Sequence, residues 1–218
     1  MAKDYTIFVG CVGGGLSYSP DGGDTWERVR TPLPSECNVR ALTVYPDDPH
    51  RILVGSDVGV FRSNDNGFNW EHIESPMDNI QVWSLAVDPR DPDTIFVGTR
   101  PDAFRSKDGG ITWESLSLGV NNPCPVGVPR TTNVIVDPRD SRTIWAGIEV
   151  DGVYKSLDGG DENGNEEDYD LAKYFMAVKI SNSDLSSSNF SNKNLVFIDF
   201  SYSDFKNANL SFTDMRYA

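Results

Sequence analysis

One punctuated motif recurs along this chain: SPDGGDTW at 19–26, SNDNGFNW at 63–70 and SKDGGITW at 106–113. A fourth copy opens as SLDGGD at 156 and then runs into ENGNEED, where Thr and Trp should stand. Aligned on the aspartate, Asp21, Asp65, Asp108 and Asp158 are separated by 44, 43 and 50 residues. The whole unit repeats with the motif: VRALTVYPDDPHRILVGSDVGVFRSNDNGFNWEHI aligns with VWSLAVDPRDPDTIFVGTRPDAFRSKDGGITWESL, and TTNVIVDPRDSRTIWAGIEVDGVYKSLDGG follows without an ending. Units of this period are supersecondary modules that bury their apolar faces only by stacking on one another.

Each unit resolves into four short β-rich runs separated by turn chemistry, in the second full unit VWSLAV, TIFVGT, AFRS and ITWESL. In Asp-Pro-Arg-Asp-Pro, proline fixes φ and aspartate bonds back to its own backbone. In Asp-Gly-Gly, glycine enters positive φ without steric cost. Four strands per period of about 40–50 residues describe a β-propeller blade. Residues 5–29 supply three strands, the next two units eight and the last three, which predicts about three and a half blades.

The motif resembles the Asp-box, or bacterial neuraminidase repeat, of sialidases, sortilin-type receptors, xyloglucan-cleaving glycoside hydrolases and a photosystem II assembly factor. The resemblance spans about residues 5–160. It implies that Ser19, Asp21, Gly23 and Trp26, Ser63, Asp65, Gly67 and Trp70, Ser106, Asp108, Gly110 and Trp113, and the partial set Ser156, Asp158 and Gly160 are structural. The box braces a hairpin at the blade edge, its carboxylate accepting from turn amides and its tryptophan packing the neighbouring blade. The same resemblance raises a glycoside hydrolase as the alternative function. Such an enzyme needs two carboxylates about 5–10 Å apart, or a tyrosine nucleophile with an acidic partner. The sialidase pattern adds an Arg-Ile-Pro stretch and three axial arginines; no Arg-Ile-Pro occurs, and Arg130 follows a proline in a late loop. Asp47, Asp48, Asp88, Asp91, Asp137 and Asp140 fall in turns, and nothing singles out a catalytic pair. The loop GVNNPCPVGVPRTT (119–132) reads as a connector.

Vocabulary changes abruptly near residues 160–170. All 13 prolines lie at or before Pro138, all 19 glycines at or before Gly164 and all 5 tryptophans at or before Trp145. Beyond the seam, large apolar residues recur every fifth position: Leu185, Phe190, Leu195, Phe200, Phe205, Leu210 and Met215, each preceded by Asp or Asn. Neither a helix nor a strand has that period. The pattern is similar to the pentapeptide-repeat family. The resemblance implies a right-handed quadrilateral β-helix, four pentapeptides per coil, with those seven side chains forming its core. Lys193 and Ile198 depart from the small inward residue the pattern expects. The expected organisation is thus all-β: blades over 1–160, an acidic linker with a short helical cap over 161–179 and poorly ordered residues at 160–170, then a β-helix over 180–218.

A net charge of −14 opposes binding to a phosphate backbone. No apolar run approaches the ~20 residues of a membrane span, and no secretory leader is visible, so the expectation is a cytoplasmic protein. Cys11, Cys37 and Cys124 lack metal or redox spacing and read as free thiols, one disulfide among them staying open. His50 and His72 read as surface residues. The residues therefore predict a non-enzymatic scaffold joining two repeat families, a truncated or engineered chimera, with no cofactor or metal. Glycan binding has no residue-level support. An open arc of blades exposes two faces, read here as lined by Phe8 and Val9 at one end and by Ile144, Trp145 and Val153 at the other. Self-association or a protein partner is expected to cover them, two chains bringing seven blades' worth of strands.

Overall fold

A computed structural model describes residues 5–100, 102–116, 127–149, 152–161, 186–187, 204–209 and 211. Every regular element among them is a strand, and no helix long and apolar enough to cross a membrane occurs there. The strands make four antiparallel sheets in chain order. The first holds β1 (Ile7–Cys11), β2 (Gly15–Ser19) and β3 (Glu27–Arg28). The second holds β4 (Ala41–Val44), β5 (Ile52–Ser56), β6 (Gly59–Ser63) and β7 (Glu71–Ile73). The third repeats it with β8 (Ser84–Val87), β9 (Ile95–Gly98), β10 (Ala103–Ser106) and β11 (Glu114–Leu116). The fourth holds β12 (Thr131–Asp137), β13 (Asp140–Ile148) and β14 (Gly152–Ser156). The strand count follows the sequence reading, with 3, 4, 4 and 3 strands per blade. Asp137 and Asp140 are the exception to the turn reading: they end β12 and begin β13 and stand opposite each other at a register shift.

One strand of each sheet, internal in all but the first, carries the same pattern: IFVG (7–10), ILVG (52–55), IFVG (95–98) and IWAG (144–147). Strand alternation sends its first and third residues to one face and its second to the other. Ile52 and Val54 join a core with Leu16 and Phe8 of the first blade. Leu53 joins the next core, with Ile95 and Val97 of the third blade. Phe96 in turn packs with Val134, Val136 and Ile144 of the fourth. At each of the three joints between described blades, therefore, the Ile faces the preceding blade and the second residue faces the following one, and the third residue shares the face of the Ile.

This rule corrects two of the residues assigned to open faces. Phe8 looks inward, stacked on Tyr18 at 6.0 Å between ring centroids and edge-on to Trp70 of the second blade at 6.2 Å. Ile144 is buried against the third blade. Val9 is exposed, whereas Trp145 and Val153 are half-buried.

The glycine closing the central pattern answers a close approach. A Cβ on Gly10 would lie 2.5 Å from Val39 Cγ1, and one on Gly55 would run into Val82 and come within 3.2 Å of the Ala41 Cβ. Gly147, which has no following blade among the described residues, would meet nothing nearer than 3.5 Å.

In the C-terminal part, Ser187 and Asn207 adopt positive φ of 61° and 62°, and Ser187 N donates to Lys206 O at 2.9 Å. The same turn thus returns after twenty residues, the length of one coil of four pentapeptides. Phe205 is half-buried there, whereas Leu185, Phe190, Leu195, Phe200, Leu210 and Met215 lie outside the described residues. So do Cys124, residues 117–126, and the expected linker and cap from 162 onward.

Candidate functional site

The turns that end each blade are built almost identically. Ser19 Oγ donates to Asp21 at 2.8 Å while accepting from Gly23 N at 2.7 Å. Asp21 then accepts from Thr25 N at 2.8 Å and from Thr25 Oγ1 at 2.6 Å. Ser63, Asp65, Gly67 and Asn69 reproduce these four bonds, the Asn69 side-chain amide donating at 2.6 Å. Ser106, Asp108, Gly110 and Thr112 do so again. Both residues after the aspartate take positive φ in all four copies, which restricts them to Gly or Asn: Gly22–Gly23, Asn66–Gly67, Gly109–Gly110 and Gly159–Gly160. The Thr25 hydroxyl and amide hold the Asp21 carboxyl down at about 2, and Thr112 does the same to Asp108. The Asn69 amides lower Asp65 likewise. These carboxylates are ionised and fully spent on their own turns.

The fourth copy keeps the first half of this network. Ser156 donates to Asp158 at 2.6 Å and accepts from Gly160 N at 2.8 Å. With no Thr to receive, Asp158 takes the Gly160 amide itself at 2.9 Å. Asp161, the first acidic residue past the motif, reaches across to the third blade instead, accepting from Arg105 at 2.5 Å and from Lys107 at 2.8 Å. The departure from the motif is thus absorbed as a tie between blades.

That tie belongs to a device the sequence reading missed. Arg62 donates from Nε to Glu71 at 2.7 Å in its own blade and from Nη1 to Gly109 O at 2.8 Å in the next. Arg105 repeats this, donating to Glu114 at 2.5 Å and to the Gly159 carbonyl. Its side chain is 2% exposed. The signal lies in the FRS triplets that run into the second and third motifs and in the glutamate six residues after each of their aspartates. Tyr18 stands at this position in the first blade, bonded to Glu27 at 2.9 Å, and Lys155 in the fourth.

Tryptophan supplies the apolar half of each joint. Trp70 packs on the core shared with the first blade and Trp113 on the core shared with the second. Their indole N–H groups return to the turn, to Gly67 O at 2.9 Å and Gly110 O at 3.1 Å. Trp26, whose blade has no predecessor among the described residues, is 49% exposed.

A second cluster lies where chain enters the first strand of each later blade. Arg40, Trp83 and Arg130 immediately precede β4, β8 and β12. The Arg40 guanidinium sits 4.5 Å from the Trp83 ring centroid and that of Arg130 4.4 Å from it. Arg130 Nε lies 3.1 Å from Glu149 Oε2, a distance of ion-pair contact without hydrogen-bond alignment. Both guanidinium groups therefore pack on the Trp83 indole. Other acids have partners of their own: Asp57 accepts from Asn38, Asp88 from Arg90 N and from Ser141, and Asp91 from Thr94. Asp48 binds His50 and Asp47 binds Arg51. No group of three His, Cys, Asp or Glu among the described residues is placed to hold a metal, and Cys11 and Cys37 are unpaired. Both histidines are exposed.

Residues 179–216 match the family model for pentapeptide repeats, in eight copies. By sequence, no curated protein matches the chain. By structure, it resembles an ancestral GH74 enzyme at 20% identity and TM-score 0.59, covering 71% of this chain and 21% of that one. It also resembles the GH74 xyloglucanase from Xanthomonas campestris at 18% identity and TM-score 0.55, with 71% and 26% covered. A third likeness is the extracellular domain of a putative one-component system from B. thetaiotaomicron, at 18% identity and TM-score 0.54, with 74% and 21% covered. The chain spans only about a fifth to a quarter of the length of these structures. At such identities the likeness carries the fold: the sheets are propeller blades.

Proposed function

We propose that this chain is a non-catalytic scaffold of Asp-box blades joined to a pentapeptide-repeat segment, acting through the faces its blades present. The observation that carries the reading is the use of the motif carboxylates. Asp21, Asp65 and Asp108 each accept from the Ser, the amide and the side chain of their own turn, leaving none of the three aimed at a reacting atom. A glycosidase needs one acid raised for proton donation and one ionised partner across the scissile bond. Among the described residues the aspartates with perturbed titration are all lowered, each by a local hydrogen bond or cation.

The likeness to GH74 enzymes keeps a glycan-processing reading in play, and Glu149 beside Arg130 is the acid on which it would fall. Incubation with fluorogenic sialosides and with β-glucans separates the two. The scaffold reading expects release no faster than in buffer. Turnover abolished by Glu149→Gln would overturn it.

A further inference from the structure

The rule that orients the blades also identifies the two faces that meet no other blade among the described residues. Val54 and Val97, pointing back into the preceding blade, are fully buried, whereas Val9 at the equivalent place is 40% exposed. It shares that rear face with Ile7 and Trp26. At the other end, the residue that points forward is Leu53 or Phe96 in internal blades and Trp145 in the fourth. Trp145, Val153 and the 52% exposed Ile135 make up its forward face. Internal joints are made by contact between a forward and a rear face, so these two open faces are opposite halves of one repeating joint.

Their details are matched to each other. The rear position held by Phe61 and Phe104 in internal joints is Ser17 in the first blade, a loss of bulk. The forward position held by Leu or Phe is Trp145, a gain of bulk. Cores tolerate such swaps when total volume is conserved across the contact. Charge follows the same register. Lys155 occupies the place from which Arg62 and Arg105 reach the next turn, and lies 5.6 Å from the Trp145 ring centroid on the forward side. The turn at the corresponding place on the first blade, PDGGD, carries Asp21 and Asp24.

We infer that the forward face of the fourth blade, with Ile135, Trp145, Val153 and Lys155, docks on the rear face of the first blade of a second copy, with Ile7, Val9, Trp26 and the Gly22 turn. The inference rests on the scaffold reading and names its partner. The joint is head-to-tail: unlike surfaces meet, so it yields a closed ring if the rotation closes and a longer array if it does not. Two copies bring eight sheets together, inside the range of about 4–8 blades that propellers use. Trp26 then finds on the partner the forward residues that Trp113 finds on Leu53 and Val60.

Light scattering behind size exclusion on the full chain, alone and as variants, tests the joint. The wild type is expected at twice the chain mass or more. Trp145→Glu and Trp26→Glu each remove one of the two unlike faces, so each alone runs as a monomer. Mixed in equal amounts they form a dimer again, because one retains an intact forward face and the other an intact rear face. Lys155→Glu, a change of charge at the rim, weakens the wild-type association several-fold and guards against loss of fold in the tryptophan variants. A monomeric wild type overturns the joint, meaning that another segment or a different protein covers these faces. Variants that stay dimeric alone, or fail to pair when mixed while circular dichroism shows them folded, overturn it as well. Glycan turnover leaves this result unchanged, so the two readings fail separately.

Discussion

Arg62 in one blade donates to the main-chain carbonyl of Gly109 in the next, 2.8 Å away, and is fixed by Glu71 in its own blade at 2.7 Å. Arg105 repeats the arrangement toward Gly159, with Asp161 added. A guanidinium suits this because its rigid fork serves two acceptors at once, which an ammonium does less well. Replacing Arg105 by Met keeps the apolar stem and removes the donors. Glu114 and Asp161 are about half exposed and regain water, so the expected loss is of the order of 2–3 kcal/mol, typical of hydrogen bonds to charged groups. Urea unfolding reads it. A change below about 0.5 kcal/mol, ordinary for a surface site, would show that the tie is ornamental.

The close approach behind the central strand predicts a contrast between equivalent glycines. Gly55→Ala drives a methyl into Val82 and toward Ala41, and should cost roughly 1–3 kcal/mol as an overpacked site. Gly147→Ala meets its nearest atom, Asn133 Cβ, at 3.5 Å, an ordinary contact. It should leave thermal stability within about 0.5 kcal/mol of the wild type. Equal effects at the two positions would mean that the following blade is not what confines Gly55.

The turn aspartates predict an acid-sensitive contribution to stability. Asp108 is held at about 2 by the Thr112 hydroxyl and amide, below the unfolded value near 3.9. A group depressed in the folded state contributes stability that is complete above its unfolded pKa and fades as pH falls toward the folded one. The gap in unfolding midpoint between wild type and Asp108→Asn should therefore be full at neutral pH and close between about pH 4 and pH 2. A gap that persists at pH 2 would assign the effect to shape instead of charge.

Much of this architecture is legible in the sequence because turns carry their own chemistry. Asp-Gly-Gly and Asp-Pro-Arg-Asp-Pro fix where strands end, and period-two alternation fixes that each strand has two faces. Alternation already forbids Phe8 and Val9, or Ile144 and Trp145, from sharing a face, which the grouping of each pair on one open face overlooks; what alternation leaves undecided is which of each pair looks outward. Only the register of the IFVG-type strands against their neighbours resolves it. Arg62 and Arg105 escape a sequence reading because an arginine between Phe and Ser in a short strand looks solvent-facing, and the carbonyl that receives it lies 47 or 54 residues later. The stack of Arg40 and Arg130 on Trp83 likewise joins three blades and leaves no local mark.

If the joint between blades is the unit of stability and is completed between copies, folding and association are linked. Association that favours the folded state makes the unfolding temperature depend on protein concentration. The midpoint of the full chain should climb steadily as concentration rises over two orders of magnitude, while that of Trp145→Glu stays flat and lower. A wild-type midpoint indifferent to concentration, and equal to that of the variant, would contradict it.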